Sequence, residues 1–174
     1  MSTTITKRGA SLLELLIYVA LLSGRRVIVT DAFVSLSKGR GQTEARSEVN
    51  AGLRFATEKI RQDIKGASVL VTPVLGTASS TLNLTVAGTT ILYNVSGGQL
   101  WRKEGVASPV LVSGTNIIVD APLFTRLENY NTYSTSSILS ATTTAVQMQM
   151  SMHYNASTSD WMYADTLRTT ILLR

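Results

Sequence analysis

The chain has 174 residues, of which 16% are charged; its formal net charge is +5 and it contains no cysteine. This length suits one domain of ordinary size with an appended helix and is too short for two full domains. The lack of cysteine excludes a disulfide framework, a thiolate metal site and a cysteine nucleophile, and the basic residues form no aromatic-interleaved stripe typical of nucleic-acid binding.

A polar, basic N-terminus runs directly into an apolar segment. Residues 1–9 are polar and end in basic side chains, and an apolar stretch follows from Ala10 to Ser23. A basic flank before an apolar run is typical of an export signal. One interpretation is an ordinary signal peptide cleaved near Ser23 and Gly24, since the apolar run has the length of a signal-peptide core.

One acidic residue, Glu14, lies inside this apolar stretch. Placing a carboxylate at the centre of a membrane helix costs about 2.5 to 3.5 kcal/mol. A carboxylate buried among apolar helices therefore needs a positive partner. We interpret Glu14 as a functional residue for this reason.

The sequence KRG followed by ASLLELLIYVALL resembles the cleavage and methylation motif of type IV prepilins. In that family a membrane aspartyl peptidase, the prepilin peptidase, cuts directly after the glycine on the cytoplasmic side and N-methylates the new terminus. The resemblance implies that residues 1–9 are a leader peptide with Lys7 and Arg8 as its basic flank. It also implies cleavage between Gly9 and Ala10 and methylation of Ala10, where the family usually has phenylalanine.

By the same resemblance, Glu14 becomes the fifth residue of the mature chain, the position that the family reserves for glutamate. It would guide subunit register by pairing with the freed amine of Ala10 in an adjacent subunit. Residues 10–36 would be the membrane-inserting half of the helix. Arg25 and Arg26 interrupt the apolar run after about fourteen residues, whereas a full span needs about 20. We therefore expect shallow insertion, with the arginines reaching toward the lipid head groups.

A second helical pattern follows between Arg46 and Ala67. Apolar residues recur there at steps of three or four, namely Val49, Leu53, Ala56, Ile60, Ile64 and Ala67. This spacing predicts an amphipathic helix packed on a core, and we assign residues 37–67 to it. Joined to the apolar segment it predicts one long helix that stops at Gly66, loosened around Gly24 or residues 38–41.

After the helix the hydrophobic period changes to two, which predicts a β-rich head over residues 68–174. The candidate strands are Val69–Pro73, Thr81–Val86, Thr89–Val95, Gln99–Lys103, Pro109–Val112, Asn116–Val119, Ala145–Tyr154 and Asp165–Arg174. Glycine-containing turns are predicted between some of them, at Ala87-Gly88 and at Ser96-Gly97-Gly98. Methionines 148, 150 and 152 alternate with polar residues, and we interpret this row as core rather than as a metal site. Residues 129–144 are expected to form a long exposed loop. The predicted fold is α+β, a long N-terminal helix packed on an antiparallel sheet.

The head contains no combination of residues that indicates catalysis. His153, the only histidine, lies on the more polar face of a predicted strand, and the aspartates are dispersed without metal-ligand spacing. The pair Gly97 and Gly98 lacks the context of a phosphate-binding loop. We therefore expect no enzyme, no metal and no cofactor.

Three further segments, LRFATEKIRQDIKGAS, ILYNVSGGQLWRKEG and LRTTILLR, resemble the minor pilins and minor pseudopilins often called the J or W class. The resemblance implies an assembly subunit of a type IV pilus or a type II secretion filament. The subunit would be single-pass in the cytoplasmic (inner) membrane, through a transmembrane helix, with its head extracytoplasmic. Implied partners are the prepilin peptidase, other pilin or pseudopilin subunits, an inner-membrane assembly platform and membrane lipid, without direct nucleic-acid contact.

The alternative is an exported β-rich binding module, secreted or membrane-anchored, that carries an ordinary signal sequence. Such a module would be cut after Ser23 or left uncut, and it would not depend on Glu14. The two interpretations therefore differ in where the mature chain begins.

Overall fold

The computed structural model describes residues 12–130, 141–156 and 161–173. Within these ranges a helix, α1 (Leu12–Gly66), is followed by strands β1 (Ala67–Thr72), β2 (Ala78–Ser79), β3 (Leu82–Val86), β4 (Thr89–Ser96), β5 (Gln99–Glu104), β6 (Val110–Leu111), β7 (Ile117–Val119), β8 (Leu123–Tyr130), β9 (Ala141–Tyr154) and β10 (Ala164–Leu172). The strands pair antiparallel, which confirms the α+β class. The chain divides into two compact units, residues 1–41 and 42–174, which are described separately.

The helix α1 shows no break at the glycines where loosening was predicted. A glycine costs only about 1 kcal/mol relative to alanine inside a helix. The rest of α1 is rich in leucine, alanine, arginine and glutamate, which favour helix, and it contains no proline. The predicted stop at Gly66 is confirmed, because α1 ends there and β1 begins at the next residue.

In the second unit, one stripe of α1 packs on the strands. Its buried apolar residues are Ala45, Val49, Leu53, Ala56, Ile60 and Ile64, and all but Ala45 belong to one core cluster with residues from both sheets. The predicted amphipathic pattern is therefore confirmed. The helix also approaches β7 closely at Gly52, where an added Cβ would collide with the Ile117 Cδ1.

The first sheet has the strand order β1-β3-β4-β5-β6. Two-residue turns join its central strands, and these turns were predicted from their glycines. Ala87 and Gly88 connect β3 to β4, and Gly97 and Gly98 connect β4 to β5, all with positive φ. Paired positive φ values match the right-handed twist of the flanking strands, so the three strands form a tight meander.

The second sheet has the order β10-β9-β8-β2, and β7 also pairs with β9. Its longest strand, β9, presents Val146, Met148, Met150 and Met152 to the core, where all four are fully buried. This confirms the interpretation of the methionine row as core. A backbone hydrogen bond of 2.8 Å from the Val119 N–H to the Gly98 carbonyl connects the two sheets.

The strands extend further than the sequence pattern predicted. β2 and β8 had no predicted counterpart, and β8 and β9 occupy both ends of the interval 129–144 that was expected to be a loop. Within β8, Arg126 forms an ion pair with Glu128, and the cross-strand pairing with β9 continues through both residues. Cross-strand partners thus stabilise charged residues within β8. The alternation of apolar and polar residues alone does not predict this strand. Residues 131–140 lie outside the described part of the chain.

Candidate functional site

The first unit presents an apolar helical surface. Every leucine, isoleucine, valine, phenylalanine and tyrosine side chain of α1 from Leu12 to Leu36 is between 44% and 88% exposed. These side chains cover the whole circumference of the helix rather than one stripe. Apolar residues all around a helix are typical of a segment that is surrounded by lipid or by other helices, and large exposed apolar areas mark interaction surfaces.

Four charged residues interrupt this segment, namely Glu14, Arg25, Arg26 and Asp31. All four are exposed, and their charges sum to zero. Among the described residues, no helix combines the length and the apolar character needed to cross a membrane.

Two hydroxyl groups of this segment donate hydrogen bonds to carbonyls of the helix itself. The Ser23 Oγ donates to the carbonyl of Val19 at 2.8 Å, and the Thr30 Oγ1 donates to the carbonyl of Arg26 at 2.9 Å. Such bonds to the residue four positions earlier need no solvent. These two side chains therefore keep their hydrogen bonds when water is removed from the surface.

Of the predicted site residues, the structure describes only Glu14. It lies in the first turn of α1 and is exposed. A negative charge at this end of a helix interacts favourably with the helix dipole. Lys7, Arg8, Gly9 and Ala10 lie outside the described residues.

The second unit contains a buried ionic cluster that the sequence analysis missed. The side chain of Asp63, near the end of α1, is 8% exposed. It accepts hydrogen bonds from the Tyr93 hydroxyl at 2.6 Å and from the Arg102 Nε at 2.7 Å. The Arg102 Nη1 also donates to Glu104 at 2.7 Å. The cluster fastens the end of the helix to β4 and β5.

The two hydrogen-bond donors of this cluster, the Tyr93 phenol and the Arg102 guanidinium, stay protonated. Burial, and then the hydrogen bond to Asp63, raise the pKa of the Tyr93 phenol far above its usual range. The hydrogen bond to Asp63 raises the pKa of the Arg102 guanidinium above its already high usual value. Neither group releases a proton near neutral pH, whereas a general acid or base needs a pKa near the working pH. We assign the cluster a structural role.

One member of this cluster, Asp63, can be recognised from the sequence. Asp63 lies on the apolar stripe of α1, three residues after Ile60 and directly before Ile64. A buried carboxylate requires a charged or hydrogen-bonding partner, so its position on the stripe predicts that one exists. The identity of the partner could not be read in the same way, because Arg102 is 39 residues further along the chain.

His153 has an acidic neighbour across the sheet. Its Nδ1 lies 3.4 Å from an Asp120 carboxylate oxygen, and both side chains are partly exposed. This agrees with the expected position on the more polar face of β9. Elsewhere in the described ranges, no three histidine, aspartate or glutamate side chains come together in a way that could hold a metal ion.

Comparison of the chain with protein-family models gave no match, and comparisons with curated proteins and with solved structures gave no significant match. The architecture is nevertheless pilin-like in outline, since a long N-terminal helix packs on an antiparallel sheet.

Proposed function

We propose that the chain is an assembly subunit of a pilin-like filament, a minor pilin or minor pseudopilin of a type IV pilus or a type II secretion system. The observation that carries this proposal is the helical segment from Leu12 to Leu36, whose bulky apolar side chains are all exposed and which holds Glu14 in its first turn. Full burial of each large apolar side chain stabilises by about 1.5 to 3 kcal/mol. The segment therefore favours lipid or neighbouring helices over water.

In this proposal Glu14 selects how subunits pack. Moving its carboxylate from water into apolar surroundings is unfavourable unless a cation accompanies it. Cleavage after Gly9 would free the amine of Ala10, and an adjacent subunit could then supply that amine to Glu14. A subunit in the wrong register leaves the charge unpaired and is disfavoured.

The other partners in this proposal are the prepilin peptidase, membrane lipid and an assembly platform. Lys7 and Arg8 keep the leader on the cytoplasmic side, where prepilin peptidase removes it and methylates Ala10. Lipid holds the apolar segment in the inner membrane until an assembly platform transfers the subunit into the filament. The head remains extracytoplasmic, and the proposal assigns it no enzymatic activity.

The start of the mature chain tests this function. The full precursor is produced in a host with and without a co-expressed prepilin peptidase, and the membrane-associated protein is examined by intact mass and N-terminal sequencing. We expect a chain that begins at Ala10 with an added methyl group only when the peptidase is present. A matched precursor carrying Gly9→Val should remain uncleaved.

Two other outcomes would contradict the proposal. A chain that begins near Gly24 would indicate an ordinary signal peptide, and the exported β-rich binding module would then replace the filament subunit. A precursor left uncut beside an active peptidase would exclude prepilin processing.

A further inference from the structure

Most edges of the two sheets are protected against further pairing. Among the described strands, β1 and β6 end the first sheet, and β10 and β2 end the second. β2 and β6 have only two residues each. β1 shows two register irregularities against β3, and the Arg126 Nη1 donates a hydrogen bond to the carbonyl of Leu70 in β1 at 3.4 Å. Short strands and bulges are features by which natural proteins keep other chains from pairing with a sheet edge.

β10 lacks these protective features. It pairs with β9 over nine residues without a register irregularity. It contains no proline or glycine, and its three threonines and one isoleucine favour extended structure. A long, regular edge strand presents a row of unpaired backbone donors and acceptors, to which another strand can pair.

The hydrogen bonds to β9 show which residues of β10 face its outer edge. The Tyr154 N–H donates to the Tyr163 carbonyl at 2.9 Å, and the Leu173 N–H donates to the Thr144 carbonyl at 2.9 Å. Hydrogen-bonded and non-bonded pairs alternate along antiparallel strands, so the odd-numbered residues from 163 to 173 bond to β9. The backbone N–H and C=O groups of the even-numbered residues therefore point away from β9.

One of these outward N–H groups is satisfied by a side chain. The Thr166 N–H donates to the Asp165 Oδ1 at 2.8 Å, which agrees with its position on the outer edge. Within the part of the chain that the structure describes, no hydrogen bond uses the backbone N–H groups of Arg168, Thr170 and Leu172. All three residues are exposed. We call residues 168–172 the open edge.

The side chains of the open edge define the strand that fits it. The Arg168 Nη2 donates to the Gln147 Oε1 at 2.8 Å, and none of the ion pairs among the described residues includes Arg168. An acidic residue directly opposite Arg168 in an added strand would form a favourable cross-strand pair. On the other face, Leu167 and Leu173 are partly buried against the core. Apolar side chains of the added strand would cover them further.

A second copy of this chain does not supply such a strand. The residues of β10 that share a face with Arg168 are Ala164, Thr166, Thr170 and Leu172, and none of them is acidic. Two copies of β10 paired edge to edge would therefore set Arg168 against a neutral residue or another arginine. Charge complementarity favours a different protein as the partner.

We propose that the open edge of β10 binds an extended segment of a partner protein, which joins the second sheet as an additional antiparallel strand. The segment alternates apolar residues, which pack beside Leu167, with polar residues, and it places an acidic residue opposite Arg168. Such strand addition takes its affinity from main-chain hydrogen bonds and its specificity from alternate side chains. The inference concerns the head alone and does not depend on how the N-terminus is processed.

A designed peptide tests this contact with the detergent-solubilised full chain. The probe is a fluorescein-labelled peptide as long as β10, in which threonine alternates with valine or leucine and one glutamate stands at the central position. Its binding is measured by fluorescence anisotropy. We expect saturable binding, because the glutamate then lies opposite Arg168, the central residue of β10.

Methylation of peptide nitrogens tests whether the backbone of β10 holds the probe. In an antiparallel pair, the amides of the glutamate and of the next threonine donate to the open edge. N-methylation of these two amides should weaken binding by about tenfold or more. N-methylation of two leucine or valine amides, which point away from β10, is the matched control and should leave the affinity unchanged.

Substitutions in the protein test the charge pair and the edge. Arg168→Glu should weaken binding by about fivefold, and a probe with lysine in place of glutamate should restore it. The control Lys103→Glu reverses an exposed charge on the first sheet and should leave binding unchanged. Thr170→Pro removes an N–H of the open edge without removing a hydrogen bond to β9. It should abolish binding while the tryptophan fluorescence remains that of the folded head.

Three results would overturn the inference. One is no saturable binding of the probe up to about 1 mM. Another is equal binding of the two methylated probes, because the backbone of β10 would then not hold the peptide. The third is a dimer of the full chain that Thr170→Pro dissociates, since the open edge would then bind a second copy.

The proposed function is judged separately. Cleavage after Gly9 without binding of the probe would refute the open edge and leave the filament subunit standing. Binding of the probe to a chain that prepilin peptidase leaves uncut would have the opposite meaning.

Discussion

The two parts of α1 present their apolar residues in opposite ways. From Ala45 to Ile64 most of these residues form one stripe, which is buried within the second unit, and Phe55 is the large apolar side chain that stays exposed. From Leu12 to Leu36 they surround the helix and remain exposed. The same secondary structure therefore serves two purposes. A one-sided stripe indicates a packing partner within the chain, whereas apolar coverage on all sides indicates partners outside it.

The comparison predicts that substitutions in the second unit change its stability and that matched substitutions in the first unit do not. The free energy of unfolding can be measured by urea denaturation of the detergent-solubilised full chain. Fluorescence reports on the second unit, because Trp101 and Trp161, the two tryptophans, both belong to it.

Arg102→Met should have the largest effect. It removes the cation beside the buried Asp63 carboxylate, and leaving a buried charge unpaired costs about 3 to 5 kcal/mol. The matched control is Arg61→Met, which removes an exposed partner of Glu58 and should change the free energy of unfolding by less than about 1 kcal/mol. Equal effects of the two variants would show that the cluster does not secure the helix end.

Ile60→Ala should destabilise the second unit by about 2 to 5 kcal/mol, since the fully buried side chain would leave a cavity. Ile28→Ala makes the same chemical change on the exposed segment and should leave the unfolding midpoint of the head unchanged. A comparable loss in both variants would mean that the first unit is packed against the chain itself, contrary to the proposal.

Tyr93→Phe should cost about 1.5 to 3 kcal/mol at neutral pH, because it removes a hydrogen bond to a charged group. It should also remove a pH dependence. The pKa of Tyr93 is raised in the folded state, so its contribution is complete below about pH 10 and is lost at higher pH, by about 1.4 kcal/mol per unit. Urea titrations from pH 8 to 11 should show the difference between wild type and variant narrowing above pH 10. If the difference in the free energy of unfolding between wild type and Tyr93→Phe stayed constant across this pH range, the raised pKa of Tyr93 in the folded state would be contradicted.

Glu14→Gln should have the smallest effect on the head, within about 0.5 kcal/mol, because the residue is exposed. Its consequence should appear in assembly instead. We expect chemical cross-linking of the mature chain to adjacent filament subunits in membranes to become weaker while the urea midpoint stays the same. A shift of the midpoint would argue that Glu14 stabilises the folded head.

The sequence predicted those parts of the fold that repeat with a fixed local period. The stripe of α1, the methionines of β9 and the two glycine-containing turns follow from neighbouring residues alone. β8 was missed because Arg126 and Glu128 obscure its alternation, and their pairing with each other and with β9 appears only in the folded chain. The division into two sheets was missed as well, because hydrophobic period does not specify which strands pair.

The residues of the candidate site differ in the same way, since some can be recognised from neighbouring residues and others depend on the fold. Glu14 could be identified from the sequence because an acidic residue stands out in a run of apolar residues. The cluster of Asp63, Tyr93 and Arg102 was not, because its members come from α1, β4 and β5 and meet only in the fold. An unpaired charge is easier to recognise from sequence than a paired one, whose partner can lie anywhere along the chain.

The tight turns of the β3–β4–β5 meander have a consequence for how the head folds. Its strands pair residues that are close in sequence, whereas β7 pairs with β9 and β2 pairs with β8 across long intervening segments. Closing a longer loop costs more chain entropy, and non-local pairing slows folding. We therefore expect the meander to form early and to act as a template, while the second sheet assembles only after β9 has been synthesised and can bring β7, β8 and β10 together.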